Sequence, residues 1–415
     1  MNTRTVTNRN QAPTAPARPS GSDPAVTTVA GYLLARLAET GLISVFGVPG
    51  DDNLGVLDAI TGRPGLAWIG MATEQGAAYA AESYARLRGL GAVVTTYGVG
   101  ELSAMNAIAG AYAESVPVVH IVGTPALAAR RPGATIHHNL PGSEYGHYAC
   151  LASEFTAAQA DLRADDAPGE IDRVLSAALR TSRPVYLAIP ADVAGAPVPA
   201  PAGRLAQARA IPARTDRPAP ARMDRPAPAR TDRPAPTLTE MDPGHADRGG
   251  HLTQRRLWAS VQHFLLPGDL VLADQGTVSG PLLPEGAELI GPPPFAPIGW
   301  AVPAALGISL AVPDRRVIVV TGGGALQQTA PELDSLLTQG TVPVIVVLNH
   351  DGDPVAAPNR HAVALRASSP DELAWALNAA NHHAAAGRPV LIEAVLAADD
   401  ARPRLRELAG RQSRP

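Results

Sequence analysis

Residues 92–123, AVVTTYGVGELSAMNAIAGAYAESVPVVHIVG, carry the pattern that decides the fold. Two short runs, 92–98 (AVVTTYG) and 116–123 (VPVVHIVG), are β-branched and largely apolar on both alternations. A strand with one solvated face alternates apolar with polar side chains, so these runs predict strands of a parallel sheet buried on both faces. Working outward, the same composition recurs at 42–49 (LISVFGVP) and 184–190 (PVYLAIP). Helical patterns fill the gaps. Thr28 is placed to cap a helix in which Val29, Leu33, Leu34 and Leu37 share a face and Gly41 ends the run. The Ala- and Tyr-rich stretch 74–88 predicts another. Strands alternating with helices predict a doubly wound α/β domain. From His251 to about Leu396 the grammar returns, with runs at 270–276 (LVLADQG), 315–322 (RRVIVVTG), 342–349 (VPVIVVLN) and 389–396 (PVLIEAVL). The fold class expected is α/β, with two doubly wound parallel-sheet domains.

Between them the composition changes. Residues 212–235 are three copies of an octapeptide, PARTDRPA, PARMDRPA and PARTDRPA. Proline recurs too often for helix or ladder, and little apolar bulk is available to bury. The division expected is a disordered tail at 1–25, an α/β domain at 26–200, a Pro/Arg-rich semi-extended linker at 201–249, a second α/β domain at 250–400 and a C-terminal tail at 401–415.

Composition narrows the chemistry. Of the 415 residues 46% are apolar, and no run approaches the ~20 apolar residues of a membrane helix. Every one of the 34 basic residues is arginine. Without lysine there is no Schiff-base or pyridoxal lysine, no Walker A lysine and no kinase β3 lysine. The single Cys150 excludes an intrachain disulfide and any multi-cysteine metal site. A net charge of −4, with no basic block outside proline-rich sequence, argues against a nucleic-acid partner. The N-terminus lacks the apolar core of a secretory signal. A soluble, cytoplasmic protein without a membrane partner is expected.

Site candidates lie where strands end, because ligands of open α/β sheets sit at the carboxyl ends of strands. The run at 315–322 leads into Gly322-Gly323-Gly324 and a helical stretch ALQQTAPELDSLL; such a turn can bring backbone N–H groups onto a phosphate or simply make a tight corner. The next strand ends in Asn349-His350-Asp351-Gly352. Glu74 follows LAWIGMA and opens a helix, where a carboxylate also suits the helix dipole. His137 and His138 sit in a loop. No Gly-x-Gly-x-x-Gly with an acid about 20 residues on follows a first strand, which argues against a nicotinamide dehydrogenase, the obvious α/β rival.

In order along the chain, FGVPGDDNL (46–54), ATEQGAAYAAESYARLRG (72–89), TTYGVGELSAMNAIAGAYAESVPVVHIVG (95–123) and IHHNLPGSEYGHY (136–148) closely resemble the pyruvate/indolepyruvate decarboxylase family, thiamine-diphosphate enzymes acting on 2-oxo acids. LADQGT (272–277), PIGWAVPAALG (297–307) and the TGGGA…LNHDG pair agree. The resemblance implies a pyrimidine-binding first domain and a diphosphate-binding second one. It implies that Glu74 hydrogen-bonds the cofactor's aminopyrimidine and that Asp51, His137 and His138 face substrate and relay protons. It implies that Ile298 bends the cofactor and that Thr277, Gly322, Gly324 and Asn349 contact it. The partners implied are a small 2-oxo acid and a second copy of the chain, in a homodimer or tetramer whose sites form between subunits.

The chain departs from that pattern in its second half. The family holds Mg²⁺ with the aspartate of Gly-Asp-Gly and the second residue of Asn-Asn; here those places are Gly323 and His350. Mg²⁺ demands oxygen ligands, whereas imidazole suits softer metals. The Gly352 carbonyl keeps its oxygen. Ala356 stands at the place of the family's catalytic glutamate, the segment that closes over the site is missing, and the linker replaces a central domain. Two readings therefore stand: a working decarboxylase producing an aldehyde and CO₂, or a catalytically impaired homologue that keeps fold and oligomer surface with weak cofactor binding or none.

Overall fold

The computed structural model describes residues 26–131, 134, 136–140, 145–205, 250–274, 284, 286–291, 295, 297–350, 362–397 and 400. The tail at 1–25, the linker from 206 to 249, the stretch 401–415, Thr277, Gly352 and Ala356 lie outside the described residues.

The first half runs β1 (Val26–Thr28), α1 (Val29–Glu39), β2 (Ser44–Gly47), α2 (Leu54–Thr61), β3 (Ala67–Gly70), α3 (Glu74–Arg88), β4 (Gly91–Thr96), α4 (Val99–Ala113), β5 (Val118–Thr124), α5 (His147–Ala152), β6 (Gln159–Asp161), α6 (Ala167–Thr181), β7 (Val185–Pro190) and β8 (Pro197–Pro199). The second runs α7 (Gln254–Phe264), β9 (Leu270–Ala273), β10 (Glu288–Ile290), α8 (Ala301–Ala311), β11 (Val317–Gly322), α9 (Gly323–Gln328), α10 (Pro331–Thr338), β12 (Val344–Asn349), β13 (Val363–Ala367), α11 (Pro370–Ala385) and β14 (Val390–Val395).

Two six-stranded sheets result, in the orders β3-β2-β4-β5-β7-β6 and β10-β9-β11-β12-β14-β13. All their pairings are parallel, and the two orders are one pattern repeated. β4, β5, β7, β9 and β12 are buried at every residue, as their doubly apolar runs require. The edge strands β3, β6, β10 and β13 are shorter or part-polar. Among the described residues only β1 and β8 pair antiparallel, in a separate ribbon.

The helical expectations hold for α1, capped by the Thr28 hydroxyl, and for α3. The stretch after the glycine turn differs from the single helix expected, because it breaks into α9 and α10 at Thr329-Ala330. Pro331 has no N–H to return to the preceding turn, and it starts the second helix instead.

The halves meet through α3 and α8. Small residues allow a close approach: an ideal Cβ on Gly307 would lie 2.0 Å from the Ala80 carbonyl oxygen, so only glycine fits. Ser83 donates to the Ala304 carbonyl at 3.0 Å, and the Trp300 indole N–H to Glu82 Oε2 at 3.0 Å. One apolar core runs through both halves across this seam, and a second covers the outer face of the β9–β14 sheet.

Candidate active site

At the carboxyl end of the first sheet, four loops converge. The loop after β2 is folded on itself by Asn53, which is buried. Its Oδ1 accepts from Gly50 N–H at 2.9 Å and its amide donates to the Val48 carbonyl at 3.0 Å. This presents Asp51 and Asp52. Neighbouring backbone is pressed against it: a Cβ on Gly123 would lie 2.4 Å from the Asp52 carbonyl, and one on Gly50 would lie 2.6 Å from Thr96 Cβ.

After β3, Thr73 caps α3 by accepting from Gly76 N–H at 3.0 Å, which places Glu74 as the first helical residue. Its half-buried carboxylate lies against the first turn of α4, where an ideal Cβ on Gly100 would be 3.1 Å from Glu74 Oε1 and equally close to the Thr96 methyl. Thr96 thus stands between the Asp51 loop and Glu74. Its buried hydroxyl has no hydrogen-bond partner among the described residues.

The loop after β5 carries His137 and His138, whose rings stack at 3.7 Å. His138 has a left-handed backbone (φ 64°), which costs about 1–2 kcal/mol and persists only when its surroundings hold it. Those surroundings are specific. The Tyr148 hydroxyl donates to the His138 carbonyl at 2.9 Å, and Tyr97 donates to Asn139 Oδ1 at 3.1 Å. Gly98 leaves room for the His138 carbonyl, which would meet any Cβ there at 2.5 Å. Burial and the Asp51 charge raise the Asp52 carboxyl pKa, while His138, His137 and Arg130 oppose that shift. The structure therefore brings Asp51, His137 and His138 into one charged cluster, with Glu74 across Thr96 at the same sheet edge.

Beneath lies a buried polar network. Glu101 is fully buried; Gly98 N–H and the Tyr186 hydroxyl donate to its two oxygens, each at 2.8 Å. Burial pushes its carboxyl pKa up to about 7. His120 meets the Thr95 hydroxyl at 2.9 Å, and full burial holds its imidazole down to about 3.

The second sheet's carboxyl end is built differently. Asp274, after β9, accepts from Ala301 N–H at 3.0 Å and from the Thr321 hydroxyl at 2.5 Å, tying β9, β11 and α8 together. Ile298 is 56% exposed beside Gly299, whose positive φ of 81° brings it against the Ala325 carbonyl. Thr329 donates to the Gly299 carbonyl at 2.9 Å. Gly322 precedes α9, and Gly324 has open space where a Cβ would point. The Asn349 amide donates to buried Glu393 at 2.5 Å. The buried His350 Nδ1 has no partner among the described residues.

The two ends fit a thiamine cofactor unequally. The pyrimidine side offers a half-buried carboxylate over a glycine cradle and an unpartnered buried hydroxyl. On the metal side Gly323 has no side chain and His350 offers nitrogen, and among the described residues no group of three or more His, Cys, Asp or Glu is arranged to hold a metal ion. That donor set does not suit Mg²⁺.

Comparison with known proteins agrees with the two-part architecture. The N-terminal TPP-binding domain of thiamine pyrophosphate enzymes matches residues 27–144, and their C-terminal TPP-binding domain matches 283–353. An alpha-keto-acid decarboxylase of Mycobacterium ulcerans (strain Agy99) is 33% identical over 556 aligned positions, covering 95% of this chain and 98% of the relative. The chain belongs to the thiamine-diphosphate-dependent 2-oxo acid decarboxylases. Similar alpha-keto-acid decarboxylases of Mycolicibacterium paratuberculosis and Mycobacterium avium are each 33% identical, over 81% of the chain and 84% of their own length. Because 556 positions exceed the chain's 415 residues, the first relative carries segments without a counterpart here. No helix among the described residues is long and apolar enough to cross a membrane.

Sequence reading missed Thr96, Asp52, Glu101, Tyr97 and Tyr148. Thr96, Tyr97 and Glu101 lie inside the stretch quoted first, yet a buried strand end and a helix opening look alike whether or not they support a site.

Proposed function

We propose that this chain binds thiamine diphosphate and decarboxylates a 2-oxo acid of the pyruvate, phenylpyruvate or indolepyruvate type to an aldehyde and CO₂. The observation that carries the reading is the position of Glu74, a half-buried carboxylate opening α3 against the Gly100 cradle. The division into a pyrimidine-binding domain at 26–200, a linker and a diphosphate-binding domain at 250–400 belongs to the same proposal. So do a homodimer or tetramer and a cytoplasmic setting.

Thiamine diphosphate, when bound, would supply a nucleophilic carbon for the keto group and a cationic ring to take up the electrons of the breaking C–C bond. Glu74 would hydrogen-bond the aminopyrimidine ring and exchange a proton with it. Asp51, His137 and His138 hold and return protons at the substrate carbon once CO₂ has left. Tyr148 and Tyr97 keep the histidine loop in place. Gly322, Gly324, Asn349, Ile298 and Thr277 contact the rest of the cofactor. Mg²⁺ is assigned no step.

A second reading, an impaired homologue retaining fold and oligomer surface, is favoured by Gly323 and His350 at the metal positions. One titration separates the two. Thiamine diphosphate is added with Mg²⁺ and then Mn²⁺, while the melting temperature and CO₂ release from a panel of 2-oxo acids are followed. A saturable upward shift with CO₂ release supports the decarboxylase; no shift with either ion supports the impaired homologue. Glu74→Gln is expected to lower CO₂ release by about 10²–10⁴-fold. Unchanged release in that variant would remove Glu74 from the mechanism.

A further inference from the structure

The cap that begins the Glu74 helix is itself held by a carboxylate from the other half of the chain. Glu332, the second residue of α10, is completely buried. Its Oε1 accepts from Thr73 N–H at 2.8 Å and from the Thr73 hydroxyl at 2.7 Å. Ala72 N–H lies 3.4 Å from Oε2 and donates to the Ser335 hydroxyl at 3.2 Å. The Thr73 hydroxyl at the same time accepts from Gly76 N–H. An ideal Cβ on Gly76 would stand 2.2 Å from Glu332 Oε1, so the carboxylate occupies the space directly over the first turn of α3.

Such a carboxylate is an expensive way to close a helical contact. No cation pairs with it among the described residues, and a well-packed apolar pair of similar volume is often as stable or more so. What a carboxylate adds is direction. Two donors from one residue, Thr73, fix the azimuth of the helix start, and Glu74 is the next residue. On its own side, Glu332 N–H donates to the Thr329 carbonyl at 2.9 Å, and Thr329 is the residue whose hydroxyl holds Gly299 beside Ile298. A continuous set of bonds thus links the second half's exposed Ile298 segment to the first half's Glu74.

We infer that Glu332 is a positioning residue for Glu74: through Thr73 it sets where the helix start presents the Glu74 carboxyl. The inference rests on Glu74 facing the cofactor pyrimidine.

The test uses the full chain as wild type, Glu332→Ala, Glu332→Gln and Glu74→Gln. Two rates are read: backbone amide exchange at residues 72–76, and exchange of the thiazolium C2 proton of thiamine diphosphate with deuterium in the presence of Mn²⁺. Glu332→Ala is expected to speed amide exchange at 72–76 and to slow C2 exchange by about ten- to a hundredfold, the size of effect expected when a catalytic group is misplaced. Glu332→Gln keeps the side-chain shape and one acceptor for Thr73, so it should recover most of both. Glu74→Gln should lose C2 exchange while its amides stay protected. A Glu332→Ala protein that melts lower but exchanges C2 at the wild-type rate overturns the inference, as does unchanged amide protection. If Glu74→Gln exchanges C2 as fast as wild type, or wild type no faster than free cofactor, the reading of Glu74 fails and takes the inference with it.

Discussion

The turn that follows β4 and the turn that follows β11 occupy the same place in two sheets of identical strand order, and they are finished differently. Both leave a central strand, pass a glycine N-cap (Gly98 or Gly322) and enter a helix with glycine at its second position (Gly100 or Gly324). At the third helical position the first half has Glu101, which reaches back to Gly98 N–H; the second has Ala325. The first helix then runs fifteen residues, whereas the second stops after six. A repeated topology supplies the location of a site but not its chemistry. In the first half a buried carboxylate, two tyrosines and a strained histidine support the polar cluster. In the second, glycines and an imidazole stand where oxygen ligands would suit Mg²⁺.

The largest expected effect comes from separating the halves. Gly307→Ala drives a methyl into the Ala80 carbonyl, where backbone cannot give way as a side chain could. Overpacking of this kind should destabilise the chain by about 3 kcal/mol or more, read as a fall in the denaturant midpoint. A variant as stable as wild type would mean that the α3–α8 seam is not a fixed contact.

Glu101 sharpens the comparison from within the first half. Its folded pKa of about 7 lies above its ordinary 4.5, so the folded state holds the proton more tightly than the unfolded one. The stability this contributes is full below about pH 4.5 and is lost as pH rises through about 7, amounting to about 3 kcal/mol. Glu101→Gln should remove that slope. Unfolding curves for the two proteins at pH 5 and 8 would show it as a gap that widens in the variant's favour with pH. Parallel curves would disprove the buried-carboxyl account.

A smaller effect is expected from giving the second half the ligands it lacks. A Cβ on Gly323 meets only the Leu348 carbonyl at 3.6 Å, an ordinary contact, so an aspartate can be built there. Gly323→Asp combined with His350→Asn should tighten Mg²⁺-dependent binding of thiamine diphosphate at least about tenfold, or about 1.4 kcal/mol. Calorimetric titration checks this, and unchanged affinity would mean that something other than the missing ligands limits the site.

Much of the first half's site was legible because its residues lie in continuous motifs in the loops that follow strands: Asp51 after β2, Glu74 after β3, and His137 and His138 after β5. The edge strands β6, β10 and β13 were not. β6 reads Gln-Ala-Asp and β10 reads Glu-Leu-Ile, and such short part-polar runs carry no period that separates them from loop. The break at Thr329-Ala330 was written in Pro331, although the apolar spacing around it suggested one helix.

Buried runs, capping threonines and glycine turns act over a few residues, so the sequence alone determined two doubly wound sheets and the loops at their carboxyl ends. Which partners those loops find was decided only by tertiary structure. Thr73 and Glu332 lie 259 positions apart, and Gly76 is glycine because of a carboxylate that no local pattern announces. Packing joins such residues through space, where sequence separation carries no information about distance.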